Sequence, residues 1–254
     1  MDLKLGGKIA LVTGTGSQIG FGKGIAVKLA EEGCDVICAD IDLPGTEQTA
    51  TAVKAAGNKS LAIEMDITDE NNVNAAVKRV LKEFDHIDIL VNCAGRASGI
   101  RPFVETTQDM WDIDININLR GTINVTRALL PHMLERQYGK IVNFSTHAAH
   151  QPTGLPGAAV YVAAKSGTVM FSKTLSGEVG AKGININVIA PGPGATNFHR
   201  IGGNPEMMEL VDKLAKAGKT TTPEDIANMV AFLVSDISNK LSGQILEVSA
   251  PMGR

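Results

Sequence analysis

Lys8-Ile-Ala-Leu-Val-Thr13-Gly14-Thr-Gly-Ser-Gln-Ile-Gly20-Phe-Gly22 is the stretch that decides the fold. A short apolar run bounded by Gly7 and Gly14 has the length and composition of a buried strand. A glycine-rich turn follows it directly. From Lys23 to Glu32 the spacing becomes helical, with Ile25, Ala26, Leu29 and Ala30 on one side and Gly33 as the stop. Glycines between a strand and a helix let the backbone approach a phosphate, and the helix N-terminus stabilises its charge. The candidates for that contact are Gly14, Gly20 and Gly22. Taken alone, such a turn is equally compatible with an ordinary tight connection.

The next strand, Asp35 to Ala39, closes on Asp40, about 20 residues beyond the glycines, where an acid can accept ribose hydroxyls. A 2′-phosphate there would meet a like charge, and Ile41, Asp42, Leu43 and Pro44 supply no base. The expected cofactor is therefore NAD rather than NADP. Further strands are expected at Ser60–Met65, ending at Asp66, at Ile87–Val91, at Lys140–Phe144, at Ile184–Ile189 and at Gln244–Val248. Helices are expected over 45–57, from Asp69 as cap to Phe84, over 108–134, over 160–179, and from the Thr222-Pro-Glu-Asp225 capping box to Val234. Unbroken alternation of this kind predicts a single α/β domain, a Rossmann-like doubly wound parallel sheet with helices on both faces.

Composition narrows the class. The chain has 254 residues and a formal net charge of −3, so it has no basic field for nucleic acid. No apolar run reaches membrane-spanning length, and MDLKLGGK has no signal-peptide core. Cys34, Cys38 and Cys93 form no paired motif and read as reduced small hydrophobes, which suits a cytoplasmic protein. No His/Cys/acid cluster has metal-ligand spacing, so no metal is expected.

Tyr161-Val-Ala-Ala-Lys165 carries the chemistry. On a helix the phenol and ammonium share a face. A tyrosine ionises near pH ~10, and bringing that to ~7 takes roughly 4 kcal/mol. One ammonium about 4 Å away supplies on the order of 4 kcal/mol at an effective dielectric of ~20. The pair is thus expected to make a usable acid or base.

Thr13-Gly14 with Gly20 and Gly22, Asn92-Cys-Ala-Gly95, Asn118, Tyr161 with Lys165, and Pro191-Gly192 resemble, in order and spacing, the short-chain dehydrogenase/reductase family in its single-domain form. The resemblance runs from Lys8 to Val248. It implies that Gly14, Gly20 and Gly22 wrap the cofactor phosphates and that Asp66 and Ile67 lie along the adenine. Asn92, Ala94 and Gly95 would floor the ribose and nicotinamide. Asn118 would interrupt a helix and hold a relay water. Lys165 would bond the nicotinamide ribose as well as tune Tyr161, and Pro191, Gly192 and Thr196 would grip the carboxamide. It also implies a homotetramer or dimer and a small-molecule alcohol or ketone substrate.

Three departures stand out. The glycine turn is about two residues long for the family. The extra residues lie within Thr15–Ile19 if Gly20 and Gly22 are the second and third glycines, or around Lys23 if Gln18 replaces the second. Position matching puts Thr146 where the family has a catalytic serine, with Ser145 as the alternative. The ending Glu247-Val-Ser-Ala-Pro-Met-Gly-Arg254 lacks the common D-G-G.

The resulting expectation is an NAD-dependent oxidoreductase acting on a secondary alcohol, with Asn118, Thr146, Tyr161 and Lys165 as catalytic residues. Alternatives are an NADP-linked 3-oxoacyl-thioester reductase of the same family and a non-catalytic NAD-binding sensor or scaffold. Arg96, Arg101, His147, His150, His199 and Arg200 either rim a pocket for a polar or anionic substrate or are solvated loop residues. Residues 193–220 are a candidate substrate lid.

Overall fold

The computed structural model describes residues 2–99, 101–150, 158–194, 196, 209, 213–214, 217–218 and 220–249. In chain order its main elements are β1 (Ile9–Thr13), α1 (Phe21–Glu31), β2 (Asp35–Asp40), α2 (Leu43–Ala55), β3 (Ser60–Glu64), α3 (Glu70–Phe84) and β4 (Ile89–Asn92). After these come α4 (Gln108–Ile115), a π-helical turn (Asn116–Arg120), α5 (Gly121–Arg136), β5 (Gly139–Phe144), α6 (Ala159–Val179), β6 (Ile184–Pro191), α7 (Pro223–Val234) and β7 (Ile245–Val248).

All seven strands are parallel, in the order β3-β2-β1-β4-β5-β6-β7. Parallel strands need crossovers that cover the faces, which is why β1, β4 and β5 are buried along their whole length and read as continuous apolar runs. On one face Val12, Val91, Phe144 and Ile189 pack with Ile25 and Leu29 of α1 and Ile226 and Val230 of α7. On the other, Leu11, Leu90, Ile141 and Ile186 pack with α3, α5 and the end of α6.

Helix ends follow local chemistry. Asp69 caps α3 by accepting from Asn71 and Asn72 N–H, and Val73, Ala76, Val77 and Val80 then fall on the buried side. Thr222 and Asp225 form the reciprocal box that starts α7. Helix α2 begins earlier than the expected residue 45, because Asp42 caps it by accepting from Gly45 N–H at 3.1 Å with Pro44 in the first turn. The expected single helix over 108–134 is two helices joined through the π turn, and it continues to Arg136. The strand expected over 184–189 runs on to Pro191, because Ala190 and Pro191 pair with Glu247 and Val248. Chain order reverses between β1 and β4, so their carboxyl ends open the crevice in which open parallel sheets place ligands.

Candidate active site

At the β1 end, Gly14 has φ +79° and sits so close to Ala94 that an added Cβ would lie 2.8 Å from the Ala94 backbone. Gly20 is the N-cap of α1, and no side chain caps that helix. A Cβ on Gly22 would collide with Gly14 O, so the helix lies directly on the turn. Asp40 is held in place, its carboxylate accepting from Gly16 N–H at 2.9 Å and Asp42 N–H at 3.0 Å. A Cβ on Gly16 would meet both Asp42 and Asp40.

Two residues of this turn make contacts that the sequence did not suggest. Gln18 Nε2 donates to Gly16 O at 3.0 Å and Gly45 O at 2.8 Å, bridging the turn to α2, and its Oε1 accepts from Lys23 Nζ at 2.9 Å. Phe21 lies against Gly194, joining the start of α1 to the segment after β6. No periodicity marks Gln18. Phe21 was visible only as an aromatic between two glycines.

At the catalytic end, Tyr161 is half-buried, and its phenol is hydrogen-bonded with the Thr146 side chain. Burial pushes its pKa up, Thr146 pulls it back, and the Asp114 charge raises it further. Ser145 is buried, and its hydroxyl donates to Lys165 O at 3.2 Å. Lys165 is 3% exposed, and burial takes its pKa down to about 8. Its ammonium donates to Phe144 O at 2.9 Å and lies beside Gly95, where a Cβ would sit 3.2 Å from Nζ. The expectation that Lys165 lowers the Tyr161 phenol is therefore corrected. The spacing does put both on one helix, but the buried ammonium donates to the Phe144 carbonyl at the β5 end. Burial, the largest influence on the phenol, raises it instead.

Asn118 lies in the π turn and is fully buried. The widened turn swings it inward, where Nδ2 donates to Arg96 O at 2.6 Å and Asp114 O at 2.8 Å. Its own carbonyl accepts from Thr168 Oγ1 at 2.8 Å. Asn92 Nδ2 donates to Asn143 Oδ1 at 2.8 Å and Thr126 Oγ1 at 3.1 Å. Asn143 Nδ2 then donates to Ser172 Oγ. These bonds fasten β4, β5, α5 and α6 beneath the site.

The structure brings Gly14, Ala94, Gly95, Asn118, Tyr161, Lys165 and Thr146 to neighbouring strand ends. Asp66 accepts from Thr68 N–H and Oγ1, and Ile67 packs on Gly121. Pro191 ends β6, Gly192 N–H donates to Val248 O at 2.9 Å, and Thr196 N–H donates to Gly194 O at 2.9 Å. The Arg96, Arg101 and His150 residues are exposed. His147 Nδ1 lies 3.3 Å from Glu247 Oε2 without hydrogen-bond geometry. His199, Arg200 and most of the 193–220 lid candidate lie outside the described residues. No described helix is long and apolar enough to cross a membrane.

A family model described as Enoyl-(Acyl carrier protein) reductase matches residues 14–250. The (2S)-[(R)-hydroxy(phenyl)methyl]succinyl-CoA dehydrogenase subunit of Thauera aromatica is 37% identical over 243 residues, covering 95% of this chain and 94% of that one. The 3-oxoacyl-[acyl-carrier-protein] reductase of Staphylococcus aureus is 36% identical, covering 96% and 98%. Among solved structures, 3-ketoacyl-(acyl-carrier-protein) reductase from Brucella melitensis complexed with NADH has a TM-score of 0.86 at 32% identity, covering 97% and 98%.

Proposed function

The chain belongs to the short-chain dehydrogenase/reductase family of oxidoreductases, and from that premise we propose that it interconverts a secondary alcohol and a ketone with NAD as the hydride partner. The observation that carries this is the hydrogen-bonded pair of hydroxyls, Tyr161 and Thr146, with Lys165 one turn along the same helix. Two hydroxyls of that kind can hold a single carbinol oxygen between them.

The residues present fit a dinucleotide. The glycine cradle of Gly14, Gly20 and Gly22 leaves no room for side chains and opens on a helix N-terminus that no side chain caps, which suits a pyrophosphate. Asp40 is pre-set for a ribose diol, and Asp42 adds a second carboxylate beside it, while Lys23 is engaged by Gln18. This charge balance disfavours a 2′-phosphate and supports NAD over NADP. Asp66 and Ile67 would line the adenine, Asn92, Ala94 and Gly95 the nicotinamide floor, and Pro191, Gly192 and Thr196 the carboxamide.

When bound, the nicotinamide accepts or supplies the hydride. Tyr161 takes the hydroxyl proton during oxidation and returns it during reduction. Thr146 holds the same oxygen, and its contact with Tyr161 favours it over Ser145, whose hydroxyl is turned to Lys165 O. Lys165 holds the nicotinamide ribose and takes part in the proton path through a water held near Asn118. The second reading, a 3-hydroxyacyl or 3-oxoacyl thioester as substrate, is favoured by what two of the relatives are named for. A cytoplasmic homo-oligomer, tetramer or dimer, completes the proposal.

The test is a screen of cyclic alcohols, polyols and a 3-hydroxyacyl-CoA with NAD and with NADP, read by reduced-nicotinamide absorbance. Turnover with NAD at least about tenfold above NADP is expected from one like-charge contact. Tyr161→Phe is expected to cut turnover by roughly 10²–10⁴-fold. A variant that kept near-normal turnover would overturn the assignment.

A further inference from the structure

Residues 93–99, which leave β4, touch the site one residue at a time. Ala94 N–H donates to Thr13 Oγ1 at 3.1 Å and lies on Gly14. Gly95 faces Lys165 Nζ and Asn118 Oδ1. Arg96 pairs with the Asn118 side chain in both directions, its N–H donating to Oδ1 at 3.2 Å and its carbonyl accepting from Nδ2. Ser98 ends the series on Asp114, one helical turn before Asn118. Ser98 N–H donates to Asp114 Oδ1 at 2.8 Å and Ser98 Oγ donates to Oδ2 at 3.0 Å. Gly99 follows at φ +140°, where the chain turns away.

Asp114 is 2% exposed and has no ion-pair partner among the described residues. Both its oxygens accept from donors, which is the bonding of an ionised carboxylate. Burying such a charge without a cation carries a desolvation penalty of roughly several kcal/mol. An apolar or amide residue would fill the same volume without that penalty, so packing gives no reason for the charge. Helix α4, which carries it, packs on α6, which carries Tyr161. The Asp114 charge also raises the Tyr161 phenol, after burial and against the Thr146 hydrogen bond.

We propose that Asp114 is a positioning residue for the reaction. Through Ser98 it pins segment 93–99, whose Gly95 and Arg96 meet Lys165 and Asn118, at the crevice. The proposal rests on the reading of that crevice as a dinucleotide site.

NADH titration, followed by nicotinamide fluorescence, reads the pin. Ser98→Ala and Asp114→Val should weaken binding roughly three- to tenfold, and Asp114→Asn, which keeps an acceptor, should retain most of it. Unchanged NADH binding in both Ser98→Ala and Asp114→Val overturns the proposal. The measurement needs no substrate, so failure of the functional reading is recorded separately as absence of turnover in the screen.

Discussion

Two buried lysines bracket β5, and they are answered in opposite ways. Lys140, at its start, is 1% exposed and Lys165, beside its end, is 3% exposed. Burial lowers both pKa values. Lys140 is surrounded by acceptors: Asn185 Oδ1 at 2.9 Å, Asn239 Oδ1, the Asp236 carboxylate at 3.9 Å, and the Tyr138 ring. Among the described residues Lys165 donates to Phe144 O alone, and its Nζ lies beside Gly95 at the crevice. A buried cation that is fully answered contributes to the fold. One left with unanswered donors at a cleft is a site for a ligand.

The largest expected effect breaks the comparison at the Lys165 end. Lys165→Met should lower turnover by roughly 10²–10⁴-fold, the scale of a positioned acid/base group. It should also raise the stability of the ligand-free protein at neutral pH by on the order of 1–3 kcal/mol, because a desolvated charge is removed. Denaturant unfolding beside steady-state rates checks both. Loss of stability together with loss of rate would make Lys165 a structural residue like Lys140.

The same contrast explains which parts were legible in the sequence. The strands were readable because parallel strands are buried on both sides, so Lys8–Thr13 and Lys140–Phe144 show as apolar runs. Asp69 and Thr222–Asp225 announced their helices through local capping chemistry. The glycines, Asp40 and Tyr161 could be picked out as candidates because their spacing is local. The π turn at Asn116–Arg120 was hidden within a continuous helical pattern, since one extra residue in a turn leaves composition unchanged. Asp114 and Gln18 were missed because their partners, Ser98 and Gly45, come from other elements. The Lys165 ammonium was misplaced for the same reason. Helical spacing gives a shared face, but the acceptor that claims a buried ammonium is set by the neighbouring strand end.

The second prediction sharpens the Lys140 side. Lys140→Met takes the ammonium donor from Asn185 Oδ1 and Asn239 Oδ1, while Asp236 keeps the Tyr138 OH at 3.0 Å. The expected loss is about 0.5–1.5 kcal/mol of unfolding free energy, the net worth of an ordinary hydrogen bond, because Asn239 and Asp236 are exposed to water. Turnover should stay within about twofold, because these groups lie at the sheet edge opposite the crevice. Urea midpoints and rates measured on the same sample test both halves.

The smallest effect is a slope. Lys165 binds its proton more weakly in the folded state, its pKa falling from 10.5 to about 8. Between those values the unfolded chain holds more protons, so this residue makes stability rise with pH, by at most about 1.4 kcal/mol per pH unit. Its penalty is complete below about pH 8 and gone above about 10.5. The buried cysteines act oppositely, because Cys34, Cys38 and Cys93 are pushed up to about 12 from 9.0, so stability falls as pH rises above about 9. Subtracting the wild-type stability curve from that of Lys165→Met, both in a Cys93→Ala background because Lys165 acts on Cys93, removes the contribution of Cys34 and Cys38, which both proteins share. The difference should be largest near neutral pH and shrink across the window from 8 to 10.5. The matching curve for Lys140→Met should be flatter, because Asp236 offsets part of the desolvation there. Equal slopes from the two variants would mean that the two lysines are equally well answered, and that Lys165 has no donors reserved for a ligand.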